Sequence, residues 1–249
     1  MRITIIILIV YLLSFILPSL FGHKTASYIP FIVGFLGLLY HFLFRRDEPV
    51  SKMGFIVGGH SYYLEAILMV SVVLGLTLAI GWMSGGLKLG KEMTSTDWLK
   101  LAVNIPISAI ILGTIATFTE ELFFRGVVQK ELYETYSPFY AIVFASFIFG
   151  LWHLPFGIFY KLKGWEILLY VIGTSLVGLI FGGLYYKSKS LLVAGLAHGM
   201  WNAIVYALYG LGNELPGLLA GKNETVTHPE YGIIGVVVLL LVIVIRSVI

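Results

Sequence analysis

Runs of about 20 consecutive apolar residues succeed one another along almost the whole chain, with only short polar, Gly- or Pro-bearing breaks between them. A hydrocarbon core of about 30 Å takes roughly 20 helical residues to cross, and a helix satisfies its own backbone hydrogen bonds in lipid. The runs read as Ile3–Phe21, Tyr28–Phe44, Tyr62–Met83, a fourth from about Asn104, Tyr140–Tyr160, Glu166–Tyr186, Ser190–Gly210 and Tyr231–Ile249. The expected fold is therefore all-α, a polytopic membrane protein of about eight transmembrane helices. Only 12% of the 249 residues are charged, against about 25% in soluble domains. Little length is left for a soluble unit, so residues 1–249 are expected to form a single integral membrane domain.

The first run follows Arg2 and resembles a signal peptide, but it is long and no small-residue cleavage pattern follows Pro18. It reads as a retained helix. Cysteine is absent, which excludes disulfides, thiolate metal ligands and a cysteine nucleophile. A net charge of +3 spread over the loops gives no nucleic-acid footprint. Asn223-Glu224-Thr225 fits a glycosylation sequon, a pattern too common to carry weight. Lys and Arg on the side of the N-terminus are Arg2, Arg45, Arg46, Lys52, Arg125, Lys130, Lys187, Lys189 and Arg246; the other side has Lys24, Lys88, Lys91, Lys100, Lys161, Lys163 and Lys222. This bias places both termini in the cytoplasm.

The fourth run continues as a helical pattern through Glu120 and Arg125 to about Leu132, with an amphipathic start from Ser95 to Val103 capped by Ser95 or Thr96. Ionisable residues at membrane depth usually face a bundle interior or a wet cavity, and an intramembrane polar cavity is expected here. Glu121 and Arg125 stand four apart and share a helix face as an ion pair; Glu120, about 100° around the axis, is left for another partner. Phe149 and His153 have the same spacing, as do His198 and Asn202. At a rise of 1.5 Å per residue, Glu120, His153, His198 and Asn202 lie about 18, 20, 12 and 18 Å from the N-terminal side. Three separate helices thus converge on one layer. For His41 and His60 the expectation is helix packing, as it is for Phe149 and, as close helix contacts, for Gly178, Gly182 and Gly183.

Glu120-Glu121-Leu-Phe-Phe-Arg125 resembles the EExxxR motif of the CPBP family, Phe149-Gly-Leu-Trp-His153 its FxxxH motif and His198-Gly-Met-Trp-Asn202 its HxxxN motif. That family comprises the CAAX prenyl endopeptidases and the bacteriocin-processing or self-immunity (Abi) proteins. The resemblance covers about residues 114–207. It implies an eight-helix intramembrane endopeptidase of a prokaryotic cell membrane, acting on a membrane-associated substrate such as a prenylated CAAX tail or a leader peptide. Glu120 and His153 would activate a water, His198 and Asn202 would form an oxyanion hole, and Glu121, Arg125 and Phe149 would support them, with no cofactor expected.

The alternative within the family is a zinc site of Glu120, His153 and His198, with water in the fourth position. It ranks second: there is no HExxH pair, and an Asn one turn from His198 suits an oxyanion donor better than a ligand. A proton-coupled transporter would also place Glu, Arg and His at mid-membrane, although no repeated halves are visible. A non-catalytic immunity or scaffold protein is the third reading. The cavity is expected to open on the side of the termini, because the Glu120 helix enters from the other one.

Overall fold

The computed structural model of the protein describes residues 2–90, 94–159, 161–211, 215–221 and 224–248. Lys91, Lys222, Asn223 and the expected span ends Tyr160 and Ile249 lie outside the described residues. The main helices are α1 (Arg2–Phe21), α2 (Ile29–Phe44), α3 (His60–Met83), α4 (Ser95–Tyr133), α5 (Pro138–Trp152), α6 (Leu154–Phe159), α7 (Gly164–Ser188), α8 (Leu191–Tyr209) and α9 (Ile233–Val248). Among the described residues, seven helical segments are long and apolar enough to cross a membrane, with α5 and α6 joined as one, Pro138–Phe159. The eighth expected span is shorter than its sequence run: α9 has 16 residues, because the chain from His228 to Gly232 turns before Ile233 begins the helix.

Burial follows the pattern a lipid-facing bundle requires. The outer helix α1 buries only Val10, Ser14 and Pro18, while Leu8, Leu12, Ile16 and Leu20 stand exposed, as do Phe31, Phe35 and Phe42 of α2. A monomer in water rarely leaves so much apolar surface uncovered; hydrocarbon removes that penalty. The polytopic, integral-membrane character read from the sequence is therefore sound. The centre is made by α4, α7 and α8, with Leu122, Phe123, Leu184, Leu191 and Ala197 fully buried.

Ion pairs tie the helix ends together on the side of the termini. Arg45 meets Glu131 at 2.7 Å and Glu134 at 2.6 Å, Lys130 meets Glu48 at 2.6 Å, and Glu65 receives Lys187 at 3.1 Å together with Arg246. On the opposite side, Leu87–Leu89 pairs antiparallel with Leu219–Gly221, joining the loop after α3 to the one after α8.

Helix α4 runs unbroken for 39 residues, but it is not α-helical throughout. Thr117–Gln129 widens into a π-helix, a form that is rare and concentrated at functional sites. Its N-cap is Thr94, one residue before the expected candidates; Thr94 Oγ1 accepts the Asp97 backbone N–H at 3.2 Å while the Asp97 carboxylate accepts that of Thr94 at 3.1 Å. Two further expectations change. His41 is buried as read, whereas His60 is exposed at the start of α3 and takes no part in helix packing. Gly178 and Gly182 are close contacts, since an added Cβ would lie 3.2 Å from Phe149 and 2.8 Å from the Gln129 side chain, but Gly183 meets nothing nearer than Arg246 at 3.8 Å.

Candidate active site

Small residues bring α4 and α8 into backbone contact. A Cβ at Gly113 would sit 2.8 Å from the Gly195 carbonyl oxygen, one at Gly195 would overlap Thr117, and one at Gly199 would overlap Ala109 and Gly113. Thr117 adds a hydrogen bond from Oγ1 to the Gly113 carbonyl at 2.7 Å. Such close approach is how helices associate where lipid weakens the hydrophobic drive. It lays the acidic turn of α4 against His198 one turn further along α8.

Glu121 and Arg125 are completely buried, and their expected pair is present, with Arg125 Nε 3.2 Å from Glu121 Oε2. The pair is a close charge contact without hydrogen-bond geometry. Glu121 does more than hold Arg125, because its other oxygen accepts the His198 Nδ1–H at 2.8 Å. Arg125, Glu121 and His198 thus form a chain of alternating charge and ring. Sequence spacing exposes the first link only, since the second depends on how α8 is rotated against α4. The His198 ring stacks on Phe181, with centroids 5.0 Å apart, and its Nε2 lies 3.8 Å from Glu120 Oε2. That Glu120 oxygen is buried without a hydrogen-bond partner among the described residues.

His153 ends α5, just before the Leu154-Pro155 step that starts α6. Its Nδ1 lies 2.8 Å from the Phe149 carbonyl oxygen. A carbonyl can only accept, so this nitrogen carries a hydrogen and the neutral ring has its lone pair on Nε2. The Trp152 indole donates Nε1–H to Ser14 Oγ at 3.0 Å and anchors this end of α5 to α1. Phe149 packs edge-on against both imidazoles, at 4.6 Å from His153 and 6.1 Å from His198, and carries the Arg125 guanidinium 4.5 Å above its ring.

Glu120, His153, His198 and Asn202 all line one cavity of about 470 Å³. Its aromatic walls include Trp152, Phe156, Tyr170 and Tyr206, and its outer part is bounded by Ser27, Leu162, Gly210 and Tyr231. Those last four stand in the connections on the side away from the termini. The cavity therefore opens on that side and not on the side of the termini as expected; the direction in which the α4 helix enters does not decide which end of the bundle splays.

Among the described residues no three His, Asp or Glu side chains are gathered so that they could hold a metal ion. The Phe149 ring lies against both imidazoles that the zinc reading would bring together.

Among the cavity residues that escape the sequence reading are a carboxylate and an imidazole. Glu230 and His228 line the wall from the turn before α9, outside every apolar run and every motif. Trp201 Nε1 donates to Glu230 Oε1 at 2.8 Å, so the signal available was a Trp inside the His198–Asn202 turn in need of an acceptor.

Residues 102–204 match the sequence model of the family described as type II CAAX prenyl endopeptidase Rce1-like. A curated relative, "Putative membrane peptidase YdiL" of Bacillus subtilis (strain 168), is 30% identical over 118 residues. That alignment covers 47% of this chain and 43% of the relative, so the match spans less than half of either protein. All four candidate catalytic residues fall inside the family match, whereas α1 to α3, Glu230 and α9 fall outside it. Across residues 102–204 the chain is thus matched by a domain of the CPBP, Rce1-like CAAX-protease family.

Proposed function

We propose that the protein is an intramembrane endopeptidase and that the cavity is its active site, lying within the bilayer. The observation that carries this is the convergence of Glu120, His153, His198 and Asn202, from three helices, on one cavity. Glu120 takes a proton from a water that His153 Nε2 helps to hold, and the hydroxide attacks the scissile carbonyl carbon. His198 Nε2–H and the Asn202 amide donate to the oxyanion that forms, the largest stabilising effect in such reactions. In that role the His198 ring carries both protons, one held by Glu121. The proton on Glu120 passes to the leaving amine as the tetrahedral intermediate collapses.

Arg125 holds Glu121 in place, and Phe149 spaces the two imidazoles. No step is routed through a metal. The substrate is a membrane-associated peptide, whether a prenylated CAAX tail, a leader peptide or another membrane segment. Both termini are assigned to the cytoplasm on the nine-to-seven Lys and Arg bias, which turns the cavity mouth to the other face. The test is cleavage of a panel of prenylated and unprenylated peptides by the purified protein in proteoliposomes, read by mass spectrometry. Fragments from at least one peptide are expected; an intact panel, with the protein folded, would overturn the assignment.

A further inference from the structure

The turn His228-Pro229-Glu230-Tyr231 forms part of the cavity wall contributed from outside the family match, and it is built rigidly. His228 Nδ1 accepts the Glu230 backbone N–H at 3.2 Å, and the His228 ring stacks on Tyr231 with centroids 3.8 Å apart and planes at 11°. The turn is pressed against α7, where a Cβ at Gly173 would lie 2.9 Å from the Glu230 carbonyl carbon. Trp201 fixes the carboxylate itself at 2.8 Å. Glu230 is thereby held as a second carboxylate on the cavity beside Glu120, and among the described residues no Lys or Arg lines that cavity. Burial pushes the Glu230 carboxyl above its ordinary range and pulls His228 down to about 3, so His228 offers no positive charge. The His198 imidazolium on the same cavity is already shared between Glu120 and Glu121, so a cation paired directly with Glu230 has to come from what enters.

We propose that Glu230 determines specificity: with Glu120 it makes the cavity receptive to a peptide segment carrying a Lys or Arg side chain beside the scissile bond, and unreceptive to one ending there in a free carboxylate. A buried carboxylate gains most from a charge-assisted partner and loses most beside a like charge. This rests on the reading of the cavity as a peptidase site and narrows it, since a substrate cut near a free C-terminus would bring a third carboxylate into the same space.

The test uses peptides identical except for one residue, Lys, Gln or Glu, scanned across the sequence, each with a free or amidated C-terminus. Binding to the full-length purified protein is followed by fluorescence anisotropy and cleavage by mass spectrometry. The wild type is expected to bind the best-placed Lys peptide about tenfold more tightly than its Gln counterpart, the effect of one charge-assisted hydrogen bond, and the Glu peptide most weakly. Glu230→Gln keeps an acceptor for Trp201, so a merely structural role would leave the preference intact; the Lys preference is expected to vanish. Equal binding of the three by the wild type, a Lys preference that survives in Glu230→Gln, or no binding at all would overturn it. A Lys preference without any cleavage would uphold it and remove the peptidase reading, and cleavage without a Lys preference would do the reverse.

Discussion

Glu121 illustrates what single residues can and cannot reveal. Its pairing with Arg125 is legible from the spacing of four, but its bond to His198 joins residues 77 apart and depends on the facing of two helices. The two contacts make Glu121→Gln doubly costly. Losing one partner of a buried ion pair typically costs about 3–5 kcal/mol, and His198 loses its anchor as well. Thermal denaturation in detergent should show a clear drop in Tm for this variant, with reduced turnover in the surviving fraction; an unchanged Tm would mean that the buried chain contributes nothing to stability. Asn202 stands apart from that chain, and Asn202→Ala should lower kcat by roughly 100- to 1,000-fold with little change in KM, the usual result of removing one oxyanion donor. A rise in KM alone would make it a binding residue. Thorough chelation should leave turnover unchanged, and loss of activity restored by zinc would reassign the roles of Glu120, His153 and His198. The candidate residues were legible because charge in an apolar run is conspicuous; Glu230 was not, because it sits in a polar connection where another carboxylate draws no notice.

At the level of elements, the α4–α8 contact sets the site. The glycines that permit it were invisible as such, since spacing shows small residues but not which backbone they meet. Gly199→Ala places a methyl group against the backbone at Ala109 and Gly113, and neither can yield as a flexible side chain would. Overpacking of this kind costs about 1–3 kcal/mol, which at roughly 2–4 °C per kcal/mol for a chain of this size amounts to a Tm lower by several degrees. Gly183→Ala, facing only the Arg246 side chain, is the control and should melt with the wild type. Equal melting of the two variants would contradict the packing described. The length and continuity of α4 were also legible, but its π-helical stretch was not: an apolar pattern fixes which face is buried more firmly than how many residues make a turn. The end of the last helix shows the same limit, for hydropathy runs on from Tyr231 while the chain is still turning.

For the whole molecule, the apolar surface, the ion pairs near the termini and the cavity mouth on the opposite side define two distinct faces. Cysteine introduced at Arg46 and at Ser27 should be labelled by a membrane-impermeant reagent from opposite sides of sealed vesicles, the chain having no cysteine of its own. The charge bias assigns Arg46 to the cytoplasmic side, and labelling of both positions from one side would break the topology. The role assigned to Glu120 is to activate the water that cleaves a peptide bond inside this cavity. Its most direct measurement is peptide cleavage by reconstituted wild type and Glu120→Gln in isotopically labelled water, with the new C-terminus weighed by mass spectrometry. One labelled oxygen is expected at that terminus from the wild type, and no product from a Glu120→Gln protein that melts as a folded chain. Turnover by Glu120→Gln at the wild-type rate would contradict it, as would a new C-terminus without the label.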